Sequence, residues 1–182
     1  DFCLSRGLGD VYKRQAKDSI SADYKMNKQK CDALKANAKD ICMKEAKGTE
    51  DVAKAELEAQ YKPSAKASQK VAEARADAAY AVAKEKCDDL TGNAKDVCVK
   101  DAKAEHVKAK ENAKVAAAQA KPADTAAEKA ANVAEARKDA TAEKNEANYK
   151  AAKERCETMT GDLKSKLSLI HISEPTRQAE IS

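Results

Sequence analysis

Apolar positions along this chain recur at steps of three and four, the spacing of one face of an α-helix. Tyr80, Ala83, Cys87 and Leu90 step by three, four and three, so all four share one helical stripe. Tyr149, Ala152, Cys156 and Met159 repeat the series. Tyr24, Asn27, Cys31 and Leu34 carry it with one polar substitution. Each stripe runs into a turn signal. Gly92 suits the left-handed residue that closes a helix, and Asn93 suits the next N-cap, with Asp96 near the positive helix start. Asn37 and Asp40 take those parts in the first unit, where Ala36 replaces the glycine. Pro63 with Ser64, and Pro122 with Asp124, break the longer helices, and Gly48-Thr49 is expected to weaken one midway. The pattern predicts helices at 18–35, 38–62, 65–91, 94–120 and 124–160. The expected fold class is all-α: extended, coiled-coil-like helical hairpins.

Three segments align as an internal repeat. They are YKMNKQKCDALKANAKDICMKEAKG from Tyr24, YAVAKEKCDDLTGNAKDVCVKDAKA from Tyr80 and YKAAKERCETMTGDLKSK from Tyr149. The first two begin 56 residues apart and the third 69 further on. Each has a Cys seven residues after its Tyr and a Leu or Met three beyond that. The conserved stripe is Tyr24 and Leu34, Tyr80 and Leu90, Tyr149 and Met159.

In the first two units a second cysteine follows the first after ten intervening residues. A continuous helix would hold such a pair about 16 Å apart, beyond bonding reach. Cys87 lies five residues before Gly92 and Cys98 five after Asn93, so a hairpin places them level, each about 7–8 Å from the turn. Cys31 and Cys42 share that spacing. The expected bridges are Cys31–Cys42 and Cys87–Cys98, each stabilising by about 3 kcal/mol in the chain-entropy model. The third unit would place its partner cysteine at position 167, where the sequence has Leu167, so Cys156 is expected to be left unpaired by truncation.

Composition limits how these helices can pack. Between Ala16 and Lys166, 39 residues are Ala, while Leu, Ile and Val together number 14 and there is no Phe or Trp. Alanine faces stabilise weakly at roughly 25 cal/mol per Å², so a conventional core is not expected. Ala, Lys, Glu, Gln and Arg are nevertheless the strongest helix formers, which favours helix over disorder. The net charge of the chain is +4, with acids and bases interleaved. That mixture gives no coherent positive field, so nucleic acid is not an expected partner. No stretch is apolar enough for a transmembrane segment.

The ends carry a different signature. Leu167–Ile181 (LSLIHISEPTRQAEI) can be encoded by a stretch whose reverse complement translates to Asp1–Gln15 (DFCLSRGLGDVYKRQ). Residues 1–15 and 167–182 are therefore expected to be translated sequencing adapter, excluded from fold reasoning. The expected organisation is 16–62 and 63–121 as two Cys-x10-Cys hairpins, and 122–166 as a long helix with a truncated third unit.

Candidate chemistry is sparse. Zinc sites favour Cys-x2–4-Cys pairs with nearby His, which the ten-residue gaps do not provide, so structural disulfides are the expected use of the cysteines. No Cys-x-x-Cys supports redox catalysis. His106, among charged residues on a helix, reads as a solvated side chain. Without a Gly-rich phosphate loop, a nucleophile constellation or paired acids in a cleft, the expectation is a protein that is not an enzyme and holds no cofactor or metal.

The repeated CDALKANAKDICMKEAKG and CDDLTGNAKDVCVKDAKA, joined by Ala/Lys/Glu helix, resemble a group of exported repeat proteins of β-proteobacteria. These are sometimes labelled TolA-like or cell-envelope biogenesis proteins. The resemblance covers nearly all of Ala16–Lys166 and implies a cleaved signal peptide upstream and a periplasmic address. Two functions follow as expectations. One is a structural spacer or interaction module of the cell envelope, partnered by an envelope protein or by self-association through helices. The other is a hydrophilic protectant resembling late-embryogenesis-abundant proteins, suggested by segments such as TAAEKAANVAEARKDATAEKNEAN.

Overall fold

The computed structural model describes residues 2–157, with side chains described from residue 10 onward. The described residues form five α-helices and no strand: α1 (Phe2–Cys31), α2 (Ala36–Tyr61), α3 (Ala65–Cys87), α4 (Gly92–Ala120) and α5 (Ala126–Glu157). Successive helices run antiparallel, and each packs only on its neighbours in the chain. The result is an open row, in which α1 and α5 are the edges.

Three expectations about helix bounds change. Helix α1 begins at Phe2, so the segment through Gln15 continues the helix of the first unit. It also packs: Tyr61 Oη donates to Asp10 Oδ1 at 2.7 Å, and Lys13 Nζ to Glu58 Oε2 at 2.8 Å. Second, α1 and α3 stop at Cys31 and Cys87, four and four residues short of the sequence expectation. Beyond each cysteine the backbone tightens into three-residue bonds, such as Leu34 N to Cys31 O and Leu90 N to Cys87 O, both 3.0 Å. Third, Leu34 and Leu90 consequently leave the helical stripe and lie 42% exposed in the turns.

The left-handed residue is also differently used. Gly92 has φ +58° and Ala36 φ +48°, but each opens the second helix of its hairpin rather than closing the first. The residues preceding them, Thr91 and Lys35, are the N-caps, so Asn93 and Asn37 do not fill that place. Elsewhere side-chain caps form at positions not singled out as caps in the sequence. Ser64 Oγ accepts from Ala67 N at 3.0 Å to start α3, and Thr125 Oγ1 accepts from Glu128 N at 3.0 Å to start α5.

What is buried is small. The interior residues are Ala46, Ala76, Ala104, Ala113, Ala140 and Ala151, and the side chains buried most fully are Cys31 and Cys87. Such small side chains let helices approach closely. At Gly48 the approach is extreme: a Cβ there would lie 2.6 Å from Ala78 Cβ. Helix α2 runs unbroken through Gly48, whose missing side chain admits Ala78 of α3. Glu50 and Glu111 are buried beside these contacts at 8% and 5% exposure. Lys47 and Lys54 reach Glu50 at 2.9 and 2.6 Å, and Lys114 reaches Glu111 at 2.5 Å. Each buried carboxylate is thus paired with a lysine ammonium whose stem lies along the helix surface.

Candidate interaction surface

Two hairpins, α1–α2 and α3–α4, are built from the same parts. Cys31–Cys42 and Cys87–Cys98 are disulfide-bonded, with Cα–Cα distances of 5.5 and 5.6 Å. Each joins the last residue of one helix to the second turn of the next. Across each tip an acid one residue after the first cysteine meets a lysine seven positions on. Lys39 Nζ lies 2.9 Å from Asp32 Oδ1, and Lys95 Nζ 2.9 Å from Asp88 Oδ1. The hydrogen bond from that lysine holds both carboxyls below the ordinary aspartate value. A second lysine, five residues after the second cysteine, covers the tyrosine. Lys47 Nζ is 5.8 Å from the Tyr24 ring centroid and Lys103 Nζ 5.3 Å from that of Tyr80. Sequence reading found the cysteines and tyrosines but missed both lysine partnerships. Their signal was present: Asp-x6-Lys and Cys-x4-Lys recur with the repeat.

The units are then joined by equivalent contacts. Lys44 approaches Glu85 at 3.7 Å between α2 and α3, and Lys100 approaches Glu154 at 4.0 Å between α4 and α5. Asn37 Nδ2 donates to Glu85 O at 3.0 Å, so an asparagine expected to cap its own helix binds the last turn of the next unit instead. The longer spacing to the third unit is absorbed in helix length: α4 has 29 residues against 26 in α2, and α5 has 32 against 23 in α3. Structural repetition therefore survives the change in period.

The α3–α4 hairpin also carries an open concave surface. A groove of about 750 Å³ runs along it, lined by Ala79, Tyr80, Ala83, the Cys87–Cys98 bridge and His106. His106 is not a solvated side chain: it is 9% exposed, and its ring stacks on Tyr80 at 4.7 Å between centroids. Its Nε2 lies 2.5 Å from Asp77 Oδ1, while Nδ1 is buried with no hydrogen-bond partner. Burial works against the charge of Asp77, yet hydrogen bonds from His106 and Lys110 together with the Lys110 charge leave its carboxyl below the usual range. The missed signal is again the repeat, since His106 occupies the register of the buried Glu50, 56 residues earlier.

In the third unit, Cys156 is a free thiol, half-buried at the end of α5, and Tyr149 is 40% exposed. Met159 lies outside the described residues. Among the described residues no three or more His, Cys, Asp or Glu side chains gather as a metal site, and no helix is long and apolar enough to cross a membrane. No family model matches the chain, and no curated protein or solved structure matches it.

Proposed function

We propose that this chain is a non-enzymatic structural spacer or interaction module of the cell envelope, working in the periplasm. The observation that carries this reading is the open row itself. Each helix is held by its chain neighbours alone, each hairpin is pinned by a bridge at its tip, and the joints between units repeat. An array of this kind lengthens by adding units and presents its flanks for binding along its whole length. The two bridges favour an oxidising compartment, in line with the exported proteins that the repeats resemble. The lysine-covered tyrosines and the groove beside Tyr80 supply surface for a protein partner.

A second reading has its own support. Among the described residues no buried hydrophobic one is larger than cysteine, so packing stabilises the helices little, as in a hydrophilic protectant that orders on drying. Circular dichroism of the oxidised chain in dilute buffer separates the two. The spacer is helical there and retains a specific partner in periplasmic pull-downs. A random-coil spectrum, with helix gained on drying and protection of unrelated enzymes, would establish the protectant instead.

A further inference from the structure

The two hairpin tips are not the only places where cysteines of this chain can meet. Helices α2 and α3 are antiparallel neighbours as well, and Lys44 Nζ lies 3.7 Å from Glu85 Oε2. Each of those residues is two positions from a cysteine, so Cys42 and Cys87 stand at the same level of the row. Rotation of α2 and α3 about their own axes would let those two sulfurs bond and leave Cys31 to Cys98. Loop length guards weakly against this. Closing a separation of 11 rather than 45 residues is favoured by only about eightfold.

The two hairpins share most of their parts. Tyr24 and Tyr80 are each covered by a lysine, Lys47 and Lys103, and each hairpin has its cysteine pair. Two facing positions differ in charge. In the second hairpin α3 brings Asp77 and α4 brings His106, which is 9% exposed and whose Nε2 lies 2.5 Å from Asp77 Oδ1. Lys110 adds a second cation to Asp77 at 3.4 Å. In the first unit, 56 residues earlier, the same positions are Ser21 in α1 and Glu50 in α2. Glu50 is 8% exposed and holds Lys47 at 2.9 Å and Lys54 at 2.6 Å, both from its own helix. The acid at this place therefore comes from the second helix of the first hairpin, but from the first helix of the second.

We infer that Glu50 and His106 select which helices form hairpins, and hence which cysteines bond. If α3 turned its hairpin face to α2, Asp77 would meet the Glu50 carboxylate in place of an imidazole, with both nearby lysines already taken. Burying two like charges together is costly. Helix α1 on α4 would offer His106 the Ser21 hydroxyl in place of a carboxylate, on a ring whose Nδ1 already lacks a partner. Of these pairings, only α1·α2 and α3·α4 give each buried site one acid. Specificity then comes from a penalty on the wrong partner as much as from attraction to the right one. The inference is independent of what the row binds.

The test uses the full chain with Cys3→Ser and Cys156→Ser, which leaves four cysteines and three full connectivities. The reduced chain is oxidised to equilibrium in a buffer of reduced and oxidised glutathione. Two cysteine thiols form each bridge, one oxidised glutathione takes up their two electrons and two protons, and two glutathione thiols are released. Acid quenching and peptide mapping by mass spectrometry then measure Cys42–Cys87 against the native bridges. In the parent the native bridges should exceed the crossed one by well over the eightfold or so that loop length supplies. Glu50→His together with His106→Glu exchanges the two residues without altering composition or any loop. Asp77 then finds an imidazole on α2 and a carboxylate on α4, so the crossed-to-native ratio should rise at least tenfold. Glu50→His alone, which leaves the second hairpin intact, should raise it several-fold. Ratios within twofold of the parent in both variants overturn the inference. So does a parent whose preference is no greater than about eightfold, because loop length then accounts for the pairing by itself.

Discussion

Asp88 and Lys95 close the tip of the second hairpin with a 2.9 Å ion pair, directly over the bridge that joins Cys87 to Cys98. Asp32 and Lys39 repeat the contact in the first hairpin at 2.9 Å. The native carboxyls of Asp32, Glu50, Glu58, Asp77, Asp88 and Glu146 all titrate below their ordinary values, most of them because a lysine hydrogen-bonds the carboxylate. The unfolded chain thus binds more protons as the medium is acidified. That stability is fully present above the unfolded carboxyl values near pH 4 and is lost as pH falls through the lower native ones. The thermal midpoint should be flat from about pH 8 to 5 and fall progressively below about pH 4. A midpoint that rises on acidification to pH 3 would contradict the pairing.

The bridges should dominate stability. Replacing Cys87 and Cys98 together by serine frees a short loop in the unfolded chain, costing about 3 kcal/mol in the entropy model. For a chain of this size the thermal midpoint should drop by roughly 6–12 °C. Calorimetry of the oxidised double variant against the parent checks this, and Cys31→Ser with Cys42→Ser should behave alike.

Gly48 offers a test with inverted sign. Glycine to alanine on an open helix face stabilises by about 1 kcal/mol. Here the new methyl would meet Ala78 Cβ at 2.6 Å, so α2 and α3 must part. Gly48→Ala should destabilise by about 1–3 kcal/mol, the usual cost of overpacking. Ala78→Gly in the same chain should restore much of that loss, which thermal unfolding of the four-member cycle would show.

These residues also mark what the sequence could and could not convey. The helices were legible because Ala, Lys and Glu favour helix whatever surrounds them. The hairpins were legible because two cysteines eleven residues apart cannot meet on one helix. Gly48 was misread because a glycine that weakens an isolated helix looks the same as one that admits a neighbouring backbone. His106 was misread because charged neighbours in sequence say nothing about the ring of Tyr80 lying over it from another helix. Leu34 and Leu90 fell off the stripe because each helix tightens and ends at its cysteine. Residues 1–15 mirror the other end of the chain in coding, and coding does not bear on whether such residues adopt helix.

Asn37 should couple the units. Its amide donates to Glu85 O at 3.0 Å, a carbonyl that also accepts from Asp88 N at 3.0 Å. Because the carbonyl keeps one partner, Asn37→Ala should cost only about 0.5–1 kcal/mol. The effect should be local: faster amide hydrogen exchange in the last turn of α3, with the first turns of α1 unchanged. Uniform acceleration along the chain would mean that Asn37 supports its own helix rather than the joint.

A row of antiparallel helices pulled from its two ends is loaded like a folded ruler, one crease at a time. At two of its creases the bridge is a covalent short circuit. Force passing from α1 to α2, or from α3 to α4, crosses sulfur, and the residues between the paired cysteines carry none of it. The creases at Lys62–Ser64 and at 121–125 have no such shunt, and only side-chain contacts oppose their opening. Tension would therefore peel α2 from α3 and α4 from α5 while the cysteine-bound tips stayed closed. The chain would lengthen in steps whose size is set by where its sulfur atoms lie.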